Sequence, residues 1–169
     1  VVCAIPFFYS SDIKGLVQVM NQCLEARQAG GAPLTVSLGI SEQNMIGISS
    51  GLASEGFKVI TTTFAPFQTL RCCEQIKVNL GYMKNKIVMV GLASGLVLGT
   101  LGFTHCSIEE VGVLRSIPNI TIISPADTLE VVKALIASIN HKESVYIRLT
   151  GAAPMKSLYK EDYKFEIGK

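Results

Sequence analysis

Glu42 is the side chain in this sequence that is best placed to carry acid–base chemistry. It lies within Ser41–Gly56, in the first turn of a segment whose apolar residues Met45, Ile48 and Leu52 are spaced i, i+3 and i+7. This spacing predicts an α-helix with one buried face. A carboxylate there can complement the positive end of the helix dipole. It can also act as a functional acid that points from a sheet into a cleft, and position alone favours the first interpretation.

The histidines and cysteines do not form a recognisable metal or nucleophile motif. His105 and Cys106 are adjacent, but neighbours in sequence do not by themselves form a catalytic dyad, and His141 is distant. An odd number of cysteines without a CxxC pair is typical of reduced cysteines in a cytosolic protein. We therefore predict a cytoplasmic location and no metal ligands in this chain. The five cysteines are Cys3, Cys23, Cys72, Cys73 and Cys106.

The composition indicates one domain whose surface is partly covered by another. The chain has 169 residues, of which 49% are hydrophobic and 17% are charged, with a mean hydropathy of +0.40 and a net charge of +2. This length allows one domain with a sizeable core. So apolar a chain suggests a surface that meets a partner chain or a neighbouring domain. Scattered Lys and Arg residues give no support for nucleic-acid binding, and the N-terminus lacks a secretory leader pattern.

The run Ile87–Phe103 contains seventeen residues without a charge, so a membrane-spanning helix has to be considered. Gly91, Gly95 and Gly99 recur every four residues, a spacing that also occurs where membrane helices pack. The run is at the short limit for a span, however, and its glycines weaken a helix. We therefore predict a strand followed by a glycine-rich loop, and no membrane partner.

Short apolar runs alternate with helical patterns along the whole chain. Most runs lack polar alternation, which is typical of parallel strands buried on both faces. The pattern predicts an α/β fold with three layers, α/β/α, around a mainly parallel six-stranded sheet. Ligands of such folds bind outside the carboxyl ends of the strands, and no dinucleotide-binding or P-loop glycine motif occurs there. The predicted strands are Val1–Ile5, Leu34–Leu38, Lys58–Phe64, Ile87–Val90, Ile120–Ile123 and Val145–Leu149.

The segments between these strands carry helix signals. Ser11 or Asp12 can cap a first helix, Pro66 fits the first turn of another, Ser107 begins a capping box, and Asp127 can cap a last helix. Spacing predicts which residues of the last three helices are buried. These are Leu70, Cys73, Ile76 and Leu80 after Pro66; Val111, Leu114 and Ile117 after Ser107; and Leu129, Val132, Ile136 and Ile139 after Asp127.

Six blocks, in order over about residues 36–169, resemble the pyrimidine-binding domain of the transketolase family of thiamine diphosphate enzymes. Several follow the ends of predicted strands, and together they are a strong signal where each alone is weak. They are Gly39–Met45 for the family's G-I-x-E-Q-N-M, Thr63–Phe67 for T-F-x-x-F, Glu74–Ile76 for D-Q-I, Gly102–Glu109 for G-P-T-H-x-x-I-E, Leu114–Asn119 for L-R-x-I-P-N and Ile123–Asp127 for I-x-P-A-D.

The resemblance implies a thiamine diphosphate-binding fold and gives Glu42 a catalytic and cofactor-binding role. In the family, the matching glutamate hydrogen-bonds N1′ of the cofactor's aminopyrimidine and favours its imino tautomer, which removes the proton from the thiazolium C2. The cofactor carries the difficult chemistry, while the protein supplies orientation and proton control. The resemblance therefore favours the functional interpretation of Glu42.

The resemblance also implies roles for five other side chains. Phe64 and Phe67 match aromatic residues that pack on the pyrimidine, and Leu70 stands where a third aromatic residue is often found. His105 matches a histidine that contacts the substrate, which makes it a catalytic and substrate-binding candidate. Arg148 lies near the place where some members hold a sugar phosphate. Structural roles remain open: core packing for the phenylalanines, a buried hydrogen bond for His105 and an exposed ion pair for Arg148.

The resemblance covers only part of a complete site. The family's other half holds Mg²⁺ and the two phosphates through a G-D-G…N motif, which this sequence lacks. A partner is therefore implied, either a diphosphate-binding domain or an N-terminal subunit, in a homodimer or heterotetramer that acts on a sugar phosphate. We predict a pyrimidine-binding domain at residues 1–150 and, at 151–169, a linker toward a missing C-terminal domain.

The implied function is transfer of a two-carbon ketol unit between sugar phosphates, as an enzyme part that is not active alone. The family commonly has acidic residues before the T-H pair, where this chain has Gly99–Gly102, with Thr100 and Leu101 between the glycines. Two alternatives therefore stay open. One is a sibling activity, such as deoxyxylulose phosphate synthase or a 2-oxoacid dehydrogenase β-type enzyme. The other is a non-catalytic scaffold, against which Glu42 argues.

Overall fold

The computed structural model describes residues 2–5, 34–151, 158 and 163–169. Its strands are β1 (Val2–Ile5), β2 (Leu34–Ser37), β3 (Val59–Phe64), β4 (Ile87–Leu92), β5 (Ile120–Ile123) and β6 (Ser144–Arg148). They form one six-stranded sheet in the order β2-β1-β3-β4-β6-β5, and every neighbouring pair is parallel. The predicted parallel sheet is therefore confirmed, and each strand lies within two residues of its predicted bounds.

Helical segments connect these strands. They are α1 (Glu42–Ser54), α2 (Ala65–Gln68), α3 (Cys73–Gln75, continuing as the π-helix Ile76–Tyr82), a 3₁₀ turn (Gly99–Leu101), α4 (Glu110–Arg115) and α5 (Thr128–Ile139). The uncharged run from residue 87 to 103 is a strand followed by a loop, as predicted. Within the ranges that the structure describes, no helix has the length and apolar character needed to cross a membrane. The helix predicted from Ser11 or Asp12 lies outside the described residues.

Alternating side chains of the central strands enter two separate cores, one on each face of the sheet. Met89 and Tyr146 pack in one core with Ile46 of α1 and residues of α3 and α4. Val90 and Ile147 pack in the other core with α5. Successive residues of a strand point to opposite faces, so buried runs without polar alternation supply both cores. The three-layer α/β/α arrangement is confirmed.

The buried face of α1 differs from the predicted one. Met45 is buried and Leu52 is half-buried, but Ile48 is 39% exposed while its neighbour Ile46 is completely buried. The inward face includes two serines, which a purely apolar pattern cannot identify. The buried residues of α1 are Glu42, Met45, Ile46, Ser49 and Ser50.

The helix predicted after Pro66 is interrupted. α2 ends after one turn, where Thr69 Oγ1 donates to the Ala65 carbonyl oxygen at 2.7 Å, a local bond of the kind that competes with helical pairing. The chain resumes as α3, with Ile76 and Leu80 buried as predicted. The prediction was wrong for Leu70, which lies in the intervening turn with 36% of its surface exposed.

The predicted capping box at Ser107 does not form. The backbone of Ser107 instead pairs with Gly95 in both directions, at 2.7 and 2.9 Å, so α4 begins only at Glu110. Leu114 is buried as predicted, whereas Val111 is 37% exposed.

Asp127 caps α5, as predicted. Its Oδ1 accepts a hydrogen bond from the Glu130 backbone N–H at 2.8 Å. The inward face is again rotated, because Ala134, Leu135 and Ser138 are buried. The residues predicted to be buried are half-buried instead, namely Leu129, Val132, Ile136 and Ile139.

Replacing Gly91 with alanine is expected to destabilise the protein by about 1–3 kcal/mol, the usual cost of overpacking a core. A Cβ there lies 2.3 Å from the Tyr146 hydroxyl oxygen, and Tyr146 is completely buried. Urea unfolding measures the change. Gly112→Ala, in α4 with open space around it, is the matched control and should be neutral or stabilising by up to about 1 kcal/mol. Equal effects of the two substitutions would contradict this packing.

Candidate functional site

The site residues lie where three strands of the sheet end. Glu42 opens α1 shortly after β2, Phe64 is the last residue of β3, and Phe67 follows it in α2. His105 belongs to the loop that follows β4. These segments are all at the carboxyl edge of the parallel sheet, where such folds bind ligands.

Glu42 is a buried carboxylate held by an arginine. Its side chain is only 4% exposed, and its Oε2 accepts a hydrogen bond from Arg71 Nη1 at 2.8 Å. The Arg71 guanidinium also lies over the Phe67 ring, with Cζ 4.0 Å from the ring centroid. Gln43 Nε2 donates to the Arg71 carbonyl oxygen at 3.0 Å. The first turn of α1 thus holds both the side chain and the backbone of Arg71.

Three rings form a cluster beside this ion pair. The ring centroids of Phe67 and His105 are 5.3 Å apart, those of Phe64 and Phe67 are 6.1 Å apart, and those of Phe64 and His105 are 6.3 Å apart. All three pairs are edge-to-face, a preferred arrangement of aromatic rings. Thr104 Oγ1 lies 3.0 Å from Nδ1 of His105. Glu42 and His105 are therefore joined through Phe67 and Arg71.

Backbone bonds fix the loop that carries His105. The Gly95–Ser107 bridge closes it at its base, and the Ser94 N–H donates to the Leu149 carbonyl oxygen at 2.8 Å. The His105 N–H donates to the Gly102 carbonyl oxygen at 3.1 Å. Gly102 has φ = +80°, a conformation that glycine adopts without steric cost. The glycines of this run therefore shape a loop, as predicted.

Arg148 lies at the end of β6 but is engaged in a different contact. Its Nε is 2.5 Å from Oε1 of Glu110, which is completely buried. Glu110 Oε2 has no hydrogen-bond partner among the described residues. The exposed ion pair considered for Arg148 is thus replaced by a largely buried one. The carboxylate that forms it comes from the first turn of α4.

Sequence reasoning missed two charged residues, Arg71 and Glu110. The separation of Arg71 from Phe67 by four residues was the available signal, since residues four apart meet on a helical turn. No comparable spacing links Glu110 to Arg148. Leu70, expected to form a third wall of the site, lies next to Arg71 in the half-open turn between α2 and α3.

The thiol of Cys72 responds electrostatically to the site. Burial, and secondly the charge of Glu42, raise the pKa of Cys72 to about 12, while Arg71 opposes this change. The ordinary value is 9.0. Because the folded state favours the neutral thiol, Cys72 contributes stability that is complete below pH 9 and is lost as the pH rises toward 12.

The unfolding free energies of the wild type and Cys72→Ala are therefore expected to converge between pH 9 and 12. Urea unfolding of both proteins at pH 8 and at steps above pH 9 measures the difference, so that other alkaline titrations cancel. A difference that stays constant over this range would contradict the contribution of Cys72.

The contacts around Glu42 define what the site can hold. A planar group that stacks on Phe67 and offers a hydrogen-bonding edge to Glu42 has both partners, since the Arg71 guanidinium makes both contacts already. A flat nitrogen heterocycle therefore fits. In the part of the chain that the structure describes, no group of three or more His, Cys, Asp or Glu side chains gathers to ligate a metal.

Comparison with known proteins assigns a family to this arrangement. The matching family model is described as "Transketolase, pyrimidine binding domain" and covers residues 10–154. One of the two subunits that make up an apulose-4-phosphate transketolase in Phocaeicola vulgatus is 37% identical over 134 residues, 79% of this chain and 43% of that protein. The 6-deoxy-6-sulfo-D-fructose transketolase subunit SqwH of a Clostridium species is 34% identical over 134 residues, 79% of this chain and 41% of that protein.

A solved structure supports the same relationship. It is described as a split gene transketolase, an inactive β4 tetramer, and matches with a TM-score of 0.76 and 25% identity over 99% of this chain and 51% of that one. The chain therefore spans less than half the length of the two relatives named above and about half of this structure.

Proposed function

We propose a function that follows from one premise: the chain belongs to the family of transketolase pyrimidine-binding domains. On this basis it supplies the pyrimidine-binding half of a thiamine diphosphate enzyme that transfers a two-carbon ketol unit between sugar phosphates. The observation that carries the proposal is the buried Glu42 carboxylate beside Phe67. A hydrogen-bonding carboxylate next to an aromatic face is what an aminopyrimidine needs.

Each site residue has a role in this proposal. Glu42 holds a hydrogen bond, and the proton in it, at the ring nitrogen of the pyrimidine, while Phe67 supports the ring face and Phe64 packs behind it. Leu70 forms the outer wall. His105, fixed against Phe67 at 5.3 Å, faces the substrate. The bound thiamine diphosphate supplies an acidic thiazolium carbon that becomes the nucleophile toward a ketose carbonyl.

Arg148 is proposed to contact the phosphate of the substrate. Its Nε is held by Glu110, but a guanidinium has five N–H donors. The ion pair therefore leaves the two Nη groups available and fixes the direction of the side chain. A planar fork of this kind suits phosphate oxygens.

The rest of the enzyme is proposed to come from a partner. A diphosphate-binding domain or an N-terminal subunit holds Mg²⁺ and the phosphates, in a homodimer or heterotetramer in the cytoplasm. Residues 1–150 form the pyrimidine-binding domain, and 151–169 lead toward a C-terminal domain. The inactive state of the β4 tetramer named above supports the need for a partner. Several large apolar side chains stay exposed in and near the site loops: Ile40, Leu70, Leu101, Phe103 and Ile108.

Reconstitution tests this function. The chain is mixed with its diphosphate-binding section, thiamine diphosphate and Mg²⁺, and is offered a panel of ketose phosphates and 2-oxoacids, including apulose 4-phosphate. We expect consumption of a ketose phosphate only when both sections and the cofactor are present. Consumption of 2-oxoacids alone would instead indicate a sibling enzyme. Cofactor binding without turnover on any donor would indicate a scaffold, to which the loss of acidic residues at Thr100 and Leu101 would then be attributed.

A further inference from the structure

Arg71 makes the two contacts that the proposed function requires of the cofactor ring. Its guanidinium is planar, lies 4.0 Å above the Phe67 centroid and donates to Glu42 Oε2 at 2.8 Å. An aminopyrimidine that stacks on Phe67 and hydrogen-bonds to Glu42 presents the same two features, a flat face and a polar edge. Both groups therefore compete for the same aromatic face and the same carboxylate.

We propose that the Arg71 guanidinium occupies the pyrimidine position in the cofactor-free chain and must swing away when thiamine diphosphate binds. This inference rests on the proposed function and adds a device that it does not contain. The arginine keeps the buried Glu42 paired while the ring is absent. It also makes cofactor binding an exchange of one planar partner for another.

The surroundings of Arg71 allow this exchange. Its side chain is 41% exposed, whereas Glu42 is 4% exposed, so the guanidinium has a path to solvent and the carboxylate does not. The Arg71 backbone stays anchored by Gln43, which lets the side chain rotate without moving the turn. A partly exposed ion pair and a cation–π contact are each modest interactions, so release of the guanidinium is compatible with tight cofactor binding.

Calorimetric titration of thiamine diphosphate tests the exchange. It uses the complex of this chain with its diphosphate-binding section and Mg²⁺, with wild type, Arg71→Ala and Arg71→Lys compared. We expect Arg71→Ala to lower the Kd about fivefold to tenfold, the combined size of the two contacts that are no longer broken. Arg71→Lys keeps the charge but loses the planar stack, so its Kd should lie between those of the other two.

Two controls accompany this titration. Lys77→Ala removes an exposed cation of α3 and should leave the Kd unchanged. The ratio of the wild-type Kd to that of Arg71→Ala should fall as the ionic strength rises from about 0.05 M to about 0.5 M, since salt screens the partly exposed ion pair. Thermal melting of each variant establishes that it is folded.

An unchanged or higher Kd in Arg71→Ala would overturn the inference, and a higher one would mean that Arg71 supports the ring from the opposite side of Phe67. Glu42→Ala separates this failure from failure of the proposed function. If Glu42→Ala loses cofactor binding or turnover while Arg71→Ala does not tighten binding, the exchange alone is wrong. If Glu42→Ala changes neither quantity, the proposed role of the site is wrong.

Discussion

Replacing Glu42 with glutamine is expected to lower turnover of the assembled enzyme by about a hundredfold to ten-thousandfold, the usual contribution of a positioned acid or base. Glutamine has nearly the same shape as glutamate, but it cannot share a proton with the ring nitrogen of the cofactor. The loss should appear in kcat even at saturating cofactor and donor. Steady-state kinetics of the reconstituted enzyme measures it.

Glu55→Gln is the matched control for this substitution. Glu55 follows the last residue of the same helix and is exposed, so its replacement changes the net charge equally without touching the site. We expect turnover of Glu55→Gln to equal that of the wild type. A similar loss in both variants would mean that overall charge, and not the buried carboxylate, is responsible.

Replacing Arg148 with methionine is expected to destabilise the chain by about 3–5 kcal/mol, the cost of leaving a buried charge without its partner. Glu110 is completely buried, and its Oε2 already lacks a hydrogen-bond partner among the described residues. Removing Arg148 therefore leaves both carboxylate oxygens unsatisfied. Urea unfolding monitored by circular dichroism measures the change.

The double variant Glu110→Met with Arg148→Met should recover most of this loss, because two apolar side chains can replace a buried ion pair. The surface pair of Lys142 and Glu143, 3.7 Å apart, provides the control, and Lys142→Met should change the stability by less than about 0.5 kcal/mol. If Arg148→Met is as mild as Lys142→Met, the buried ion pair does not stabilise the fold.

The strands were predictable because their signal is local. The β-branched run of β3 and the apolar run of β4 are buried almost throughout, so their sequence alone determines both type and position. The cap at Asp127 was predictable for the same reason, since the carboxylate and the N–H it accepts from are three residues apart.

Helix faces were harder to predict because they depend on what lies opposite. In α1, the pattern favoured Ile48, but the sheet packs against Ile46 and two serines. Ser107 was expected to cap a helix, yet its backbone pairs with Gly95, twelve residues earlier. In both places, tertiary contacts override a local pattern that was consistent with a different arrangement.

The site itself divides in the same way. Glu42, Phe64, Phe67 and His105 stand in motifs at strand ends, so the sequence could indicate that they meet. The pairing of Glu42 with Arg71 joins residues 29 positions apart through a turn that interrupts a predicted helix. Because that turn could not be anticipated from spacing, neither could the arginine over Phe67.

Exchange of the thiazolium C2 proton tests most directly whether Glu42 controls the proton chemistry of the cofactor. The enzyme reconstituted from both sections is saturated with thiamine diphosphate, mixed with deuterium oxide and quenched with acid at intervals, and the remaining C2 proton is measured by NMR. Wild-type enzyme should exchange this proton at least about a hundredfold faster than Glu42→Gln, as expected for loss of a positioned acid or base. Equal exchange rates in the two proteins, with cofactor bound to both, would contradict the role assigned to Glu42.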